Sequence, residues 1–182
     1  MTDDSLKQTS KFLSYLLRHN PAALQLDMDA SGWVAIAQIT ARSKPPVTRA
    51  EIEEAVRRNN KQRFSISACG TFIRANQGHS IDVDLGLEPA LPPDLLFHGT
   101  AQTSVTIILQ EGLLPMQRQH VHLSSDTSTA RQVGMRHGKP VILQVDAAKM
   151  QLQGHKFYMS ENRVWLCKTV PPEFLELQGP ET

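Results

Sequence analysis

Arg18 and His19 stand side by side in the stretch SYLLRHNPAAL. Leu6, Leu13, Leu16 and Leu17 before them fall on one face of a helix over 5–19. Asn20-Pro21 stops that helix, because proline disfavours a helical conformation in the residue before it. Arg18 and His19 therefore occupy the last turn. A cation there gains about 0.3–1 kcal/mol from the helix dipole, which explains the pair without chemistry. The same pair could also hold an anion. Arg63, in NKQRFSI, and Arg118, in MQRQHVHLS, each stand just before a strand. Arginine keeps its charge and grips phosphate through a planar fork, yet a strand entrance also carries ordinary surface arginine.

The histidines raise a second possibility. His120 and His122 are two apart on an expected strand, so both point to one face, and His98 ends another strand. Such imidazoles can bind zinc. The chain has no Cys-x-x-Cys and no His-Glu-x-x-His, and its two cysteines, Cys69 and Cys167, are far apart. No metal is therefore expected, and packed, hydrogen-bonded histidines are the plainer alternative. In FHGT and HLSS, Gly99 removes a side chain and would let a ligand approach the main chain, while Thr100 and Ser124 offer hydroxyls. Such a strand end suits a nucleotide, but neither a GxGxxG fingerprint nor a Walker loop is present.

These residues need elements to hold them. GWVAI (32–36) reads as a short strand entering a helix that ends near Ser43. Thr48 with Glu51 is a capping box at the start of the next helix, whose apolar face carries Ile52 and Val56. RFSISACGTFIRA alternates around Cys69-Gly70 as a hairpin does. Helix, short strand, two helices and a hairpin is the order of a winged helix. SIDVDLGLEPALPPD (80–94) is acidic and proline-rich, so a boundary is placed near residue 90. Beyond it, LLFHGT (95–100), HVHLSS (120–125), VILQVDA (141–147) and RVWLCKTV (163–170) read as strands. SVTIILQEGLLP reads as a helix capped by Gly112, and STARQVGMRHG (128–138) as another helix.

The bulk numbers narrow the classes. A chain of 182 residues makes one medium domain or two small ones. Its composition, 40% hydrophobic and 20% charged, is that of a globular protein. The apolar runs are too short for a membrane span, and the polar start MTDDSLKQTSKF has no signal-peptide core. Two cysteines are too few for a disulfide framework, so free thiols in a reducing cytoplasm are expected. Residues 1–75 carry eleven Lys/Arg against seven Asp/Glu, a mild excess that a polyanion or a solvated surface would suit equally.

The motifs SKFLSYLLRHNP, GWV, KQRF, RANQGHS, LFHGT, RQHVHLS, PVILQVDA, FYMSEN and VWLCKTVPPEF occur in this order from about residue 8 to 176. Together they resemble the tRNA (RNA) 2′-phosphotransferase family. The resemblance implies an α+β chain of two lobes: a winged-helix RNA lobe over 1–90 and an ADP-ribosyltransferase-like, NAD-binding mixed-sheet lobe over 91–182. It implies removal of an internal 2′-phosphate from RNA, such as tRNA splicing leaves. NAD is the acceptor, and the products are 2′-hydroxyl RNA, nicotinamide and ADP-ribose 1″,2″-cyclic phosphate. The family's Arg-His-Arg-Arg set falls on Arg18, His19, Arg63 and Arg118. Its NAD-binding positions fall on His98, Gly99, Thr100, Ser124, Gly134 and Arg136. Lys61 falls at a basic position near the phosphate, and Lys61, Arg74, Asn76 and His79 are the expected RNA contacts. The resemblance implies no metal, a cytoplasmic protein and a monomer that houses both lobes. Arg163, in SENRVWL, departs from the family pattern, which has glycine there. Two alternatives stand beside this reading. One is an ADP-ribosyltransferase that modifies RNA phosphate ends or protein and stops after the first step. The other is a winged-helix nucleic-acid-binding regulator with a ligand-sensing lobe.

Overall fold

Helix α1 (Asp3–Arg18) starts where a side chain can cap it. The Thr2 hydroxyl accepts from the Ser5 amide at 3.2 Å, and Asp3 and Asp4 lie in the positive first turn. That cap starts the helix at Asp3, two residues before the expected start at residue 5. It ends as expected: the Tyr15 carbonyl accepts from both His19 N and Asn20 N, at 3.1 and 3.0 Å. Asn20 then caps the next turn, Pro21–Leu24, by accepting from the Ala23 amide at 3.1 Å. The computed structural model describes residues 2–179. The chain divides into two units, Met1–Gly86 and Leu87–Thr182.

In the first unit, β1 (Val34–Ala35) runs into α2 (Ile36–Arg42), and α3 (Arg49–Arg57) follows. The capping box forms: the Thr48 amide donates to Glu51 Oε2 at 2.7 Å and the Glu51 amide to Thr48 Oγ1 at 3.2 Å. Strands β2 (Phe64–Ile66) and β3 (Phe72–Ala75) make the hairpin, and the antiparallel sheet has the order β1-β3-β2. Leu13, Leu16 and Leu17 of α1 join Ile36, Ile39, Ile52, Phe64 and Ile73 in one buried core. Each such side chain contributes about 1.5–3 kcal/mol on burial, which fixes the face that α1 turns inward and so the place of Arg18.

The second unit has two three-stranded antiparallel sheets. One has β4 (Leu95–Ala101), β6 (Pro140–Asp146) and β9 (Leu175–Leu177) in the order β4-β6-β9. The other has β5 (Val121–Leu123), β7 (Phe157–Met159) and β8 (Trp165–Cys167) in the order β5-β8-β7. They meet where Phe97 and Ser124 exchange main-chain hydrogen bonds at 2.9 and 2.8 Å. Helices α4 (Val105–Glu111), α5 (Thr127–Gly134) and α6 (Ala147–Leu152) complete the unit. The core includes Leu96, Leu123, Leu143, Val145, Met150, Phe157 and Phe174. The acidic connection is tied down at its far end, where the Ala90 amide donates to the Phe157 carbonyl at 2.8 Å.

Four expectations change here. Strand β8 covers only Trp165–Cys167 of the expected 163–170, because the chain still turns at Arg163, whose amide donates to the Ser160 carbonyl at 2.9 Å. Strand β4 continues through Ala101, because Thr100 and Ala101 pair with Val141 and Pro140. Helix α5 stops at Gly134 rather than near residue 138. His120 lies outside β5, so it does not share a strand face with His122; its ring meets Tyr158 edge-on at 5.9 Å instead.

Candidate functional site

In the first unit, the segment after β3 folds back onto the end of α1. The Ser80 amide donates to the Arg18 carbonyl at 2.9 Å, and Ser80 Oγ lies 2.9 Å from His19 Nδ1. Gly78 lies against the Arg18 guanidinium: at its φ of +88°, a Cβ would stand 3.6 Å from Nη1 and 3.7 Å from Nε. A side chain at 78 would be strained by that φ, while its Cβ would make only ordinary contact with the arginine. Arg18 is half-buried, with its guanidinium carbon 6.0 Å from the Phe64 ring centroid. His19 is exposed.

Arg63 is held just before β2. The Asn76 amide donates to its carbonyl at 2.9 Å, and Arg63 Nη1 donates to Asn59 Oδ1 at 3.4 Å. Burial pushes its pKa down from the ordinary arginine value, but that value is high enough for the group to stay charged. The turn before it is tight: Gln62 takes a φ of +42°. Asn76 is buried, and its carboxamide works within the unit. Its Nδ2 donates to the Gln62 carbonyl at 2.7 Å and its Oδ1 accepts from Ser65 Oγ at 2.8 Å. This gives Asn76 a clear structural task, to hold the loop that carries Arg63. Lys61 is exposed in the same loop. Arg74, on β3, stacks on Trp33 with 4.7 Å between guanidinium carbon and ring centroid.

His79 is only 2% exposed, and its Nε2 has no hydrogen-bond partner among the described residues. Burial first, and then the charges of Arg18, His19 and Arg74, push its pKa down to about 4. His79 is therefore neutral near pH 7, beside a group of cations. Arg18, His19, Arg74 and His79 thus share one electrostatic neighbourhood.

In the second unit, alternation along β4 puts Leu96, His98 and Thr100 on one face and Phe97, Gly99 and Ala101 on the other. His98 Nδ1 lies 3.1 Å from the His122 carbonyl. A carbonyl only accepts, so Nδ1 carries a proton. Burial lowers the His98 pKa, against a smaller upward effect of that carbonyl. In the neutral ring Nε2 is then a bare acceptor. Thr100 is buried, and Ser124 is fixed by its two main-chain bonds to Phe97. Gly99 is required for a reason other than the expected one. A Cβ there would meet the Ala130 carbonyl at 1.7 Å and the Gly134 amide at 2.9 Å. The space opened by Gly99 is filled by the backbone of α5. Gly134 answers it, since a Cβ on Gly134 would lie 2.9 Å from the Thr100 carbonyl. Arg136 is exposed in the turn after α5. Arg118 is exposed in the turn before β5, two residues after Met116, whose φ is +55°.

The first unit therefore brings together Arg18, His19, Arg74 and His79, with Arg63 on the adjoining strand entrance. The second unit carries Arg118, and places His98, Thr100 and Ser124 around the meeting of its two sheets. The guanidiniums can grip phosphate, and His98 Nε2 with the hydroxyls can meet sugar hydroxyls. Among the described residues, no group of three or more His, Cys, Asp or Glu gathers as metal ligands do, and no helix is long and apolar enough to cross a membrane. Ser80 was missed as a candidate; its only signal is its place beside Gly78 and His79 in RANQGHS.

The model of the RNA 2′-phosphotransferase, Tpt1/KptA family matches residues 4–169. A protein of Nostoc punctiforme named "Probable RNA 2'-phosphotransferase" is 51% identical over 179 residues, covering 97% of this chain and 99% of its own. Proteins of the same name from Hahella chejuensis and Herpetosiphon aurantiacus are 51% and 48% identical, covering 96% and 98% of this chain and 96% and 100% of their own. The likeness runs through both units, so the chain belongs to the Tpt1/KptA family of RNA 2′-phosphotransferases.

Proposed function

We propose that this protein removes an internal 2′-phosphate from RNA and passes it to NAD in two steps. The observation that carries this reading is the family match over residues 4–169, together with arginines at 18, 63 and 118 and a histidine at 19. In the first step an oxygen of the RNA 2′-phosphate bonds to C1″ of the nicotinamide ribose. The C1″–N bond breaks, and nicotinamide leaves with the electron pair. In the second step the ribose 2″-hydroxyl attacks phosphorus and gives up its proton to solvent, the bond to the RNA 2′-oxygen breaks, and that oxygen takes up a proton, so no proton is gained or lost overall. The products are 2′-hydroxyl RNA, nicotinamide and ADP-ribose 1″,2″-cyclic phosphate.

The residue types suit these steps. The phosphate is close to a dianion and is itself the first nucleophile, so it needs holding rather than deprotonating. Arg18, Arg63 and Arg118 hold it and balance the charge that builds on phosphorus in the second step. His19 hands the departing RNA oxygen its proton. His98, through its bare Nε2, and the hydroxyls of Thr100 and Ser124 receive the NAD sugars, with Gly99, Gly134 and Arg136 shaping that end of β4. Lys61 and Arg74 meet the RNA backbone, and the buried His79 shares the electrostatic neighbourhood of Arg74.

The first unit runs helix, strand, helix, helix, hairpin, which supports a winged-helix RNA lobe. The sheet arrangement of the second unit agrees with an ADP-ribosyltransferase-like lobe. A monomer in the cytoplasm, acting on 2′-phosphates such as those left by tRNA splicing, completes the reading. The test is nicotinamide release from NAD with a short RNA carrying one internal 2′-phosphate. One nicotinamide per phosphate removed is expected, with none for the same RNA bearing a 2′-hydroxyl. Phosphate loss without NAD would overturn the reading.

A further inference from the structure

We infer that Ser80 is a positioning residue that makes Nε2 of His19 the nitrogen that gains and loses the proton. This rests on the proposed role of His19 in the second step. The Ser80 hydroxyl lies between two groups: His19 Nδ1 at 2.9 Å and the Arg18 carbonyl at 3.5 Å. It has one proton to give. If Nδ1 were bare, the hydroxyl would have to turn toward it and away from the carbonyl. If Nδ1 carries a proton, that N–H donates to Oγ and the hydroxyl proton turns to the Arg18 carbonyl. Only the second arrangement suits the charged ring, because both ring nitrogens of an imidazolium are donors. With Nδ1–H kept throughout, His19 passes between its neutral and charged forms at Nε2 alone, and Ser80 need not turn.

The hydroxyl is well placed for this although Ser80 is exposed. Its own amide is bound to the Arg18 carbonyl at 2.9 Å. His79 before it is buried, and Gly78 lies against the Arg18 guanidinium. The segment therefore fixes Arg18 and the His19 ring from one side. Replacing Ser80 with alanine would remove only the hydroxyl and leave the amide bond to Arg18. A free neutral histidine favours the Nε2–H form, so loss of the hydroxyl should send His19 toward the wrong tautomer.

The experiment uses the full chain with 15N-labelled histidine. Long-range 1H–15N spectra are recorded with His19 neutral and without RNA or NAD, and His19 is assigned by difference from His19→Gln. Wild type is expected to show Nδ1–H, Ser80→Ala to shift toward Nε2–H, and Ser80→Thr to keep the wild-type form. In turnover with 2′-phosphorylated RNA and NAD, Ser80→Ala should lose about tenfold or more in kcat with KM for RNA held within about twofold. Ser80→Thr should restore most of the loss. A wild-type His19 protonated only at Nε2, or a Ser80→Ala protein that keeps both tautomer and turnover, would overturn the inference. The expected tautomer change in a protein that shows no phosphate transfer to NAD would count against the proposed reaction and in favour of this placement of Ser80.

Discussion

A Cβ on Gly99 would stand 1.7 Å from the carbonyl oxygen of Ala130. No side chain begins at that distance from a backbone atom. Either β4 or α5 must move if residue 99 becomes anything but glycine, and both are anchored in the second unit. Gly99→Ala should therefore destabilise the protein by about 3 kcal/mol or more. Thermal unfolding followed by circular dichroism measures this, and a melting temperature within a degree of wild type would contradict the contact.

The arginines are expected to behave in the opposite way. Arg118 is exposed, Arg63 is half-buried, and neither makes an ion pair among the described residues. Arg18→Ala, Arg63→Ala and Arg118→Ala should each reduce turnover at least about a hundredfold with little change in melting temperature. Arg18→Lys should not fully rescue, because an ammonium lacks the planar fork. Steady-state kinetics beside a melting curve separates the two effects, and wild-type rates in all three alanine variants would sink the anion clamp.

His79 gives stability a pH dependence of known sign. Its pKa is pushed down to about 4 in the folded chain and returns to about 6.5 on unfolding. Below the unfolded value the unfolded chain binds a proton that the folded chain refuses, so stability falls with pH. The loss approaches about 1.4 kcal/mol per pH unit between the two values. His98 and His120, also pushed down by burial, act in the same direction. Urea unfolding at a series of pH values should show His79→Leu to be less acid-sensitive than wild type. An equal slope in both would show that His79 is not protected from protonation.

Arg163 adopts a φ of +58°, a conformation that favours glycine. The family resemblance implies glycine at this position, and the backbone here has the geometry that glycine favours. Arg163→Gly should raise stability by about 1 kcal/mol, read as a higher urea midpoint at unchanged slope. A lower midpoint would mean that the arginine side chain is worth more to the fold than the relief of its backbone.

The first unit was more legible in the sequence than the second, for physical reasons. Its signals are local: the stripe of Leu13, Leu16 and Leu17, the stop at Asn20-Pro21 and the box of Thr48 and Glu51 each act within a few residues. In the second unit the decisive contacts are remote in sequence. Gly99 meets Ala130, and His98 meets the carbonyl of His122. Spacing along the chain says nothing of such partners. The sequence therefore points to a ligand at Gly99, where a helix backbone fills the space. The site divides in the same way. Arg18 and His19 could be placed at a helix end from their neighbours alone. Ser80, more than sixty positions away in the chain, becomes visible only once the segment after β3 is seen to fold back onto that end. Asn76 stood out as a polar residue in RANQGHS, but its burial and its bonds to Gln62 and Ser65 belong to the folded chain.

The central claim is that the phosphate moves from RNA to NAD. The most direct test labels the 2′-phosphate of a short RNA with 32P and follows the label after incubation with the protein and NAD. The account predicts that the label leaves the RNA and appears in ADP-ribose cyclic phosphate, with a 2′-hydroxyl left behind. Label released as inorganic phosphate, or held on the RNA in a stable ADP-ribosylated product, would contradict it.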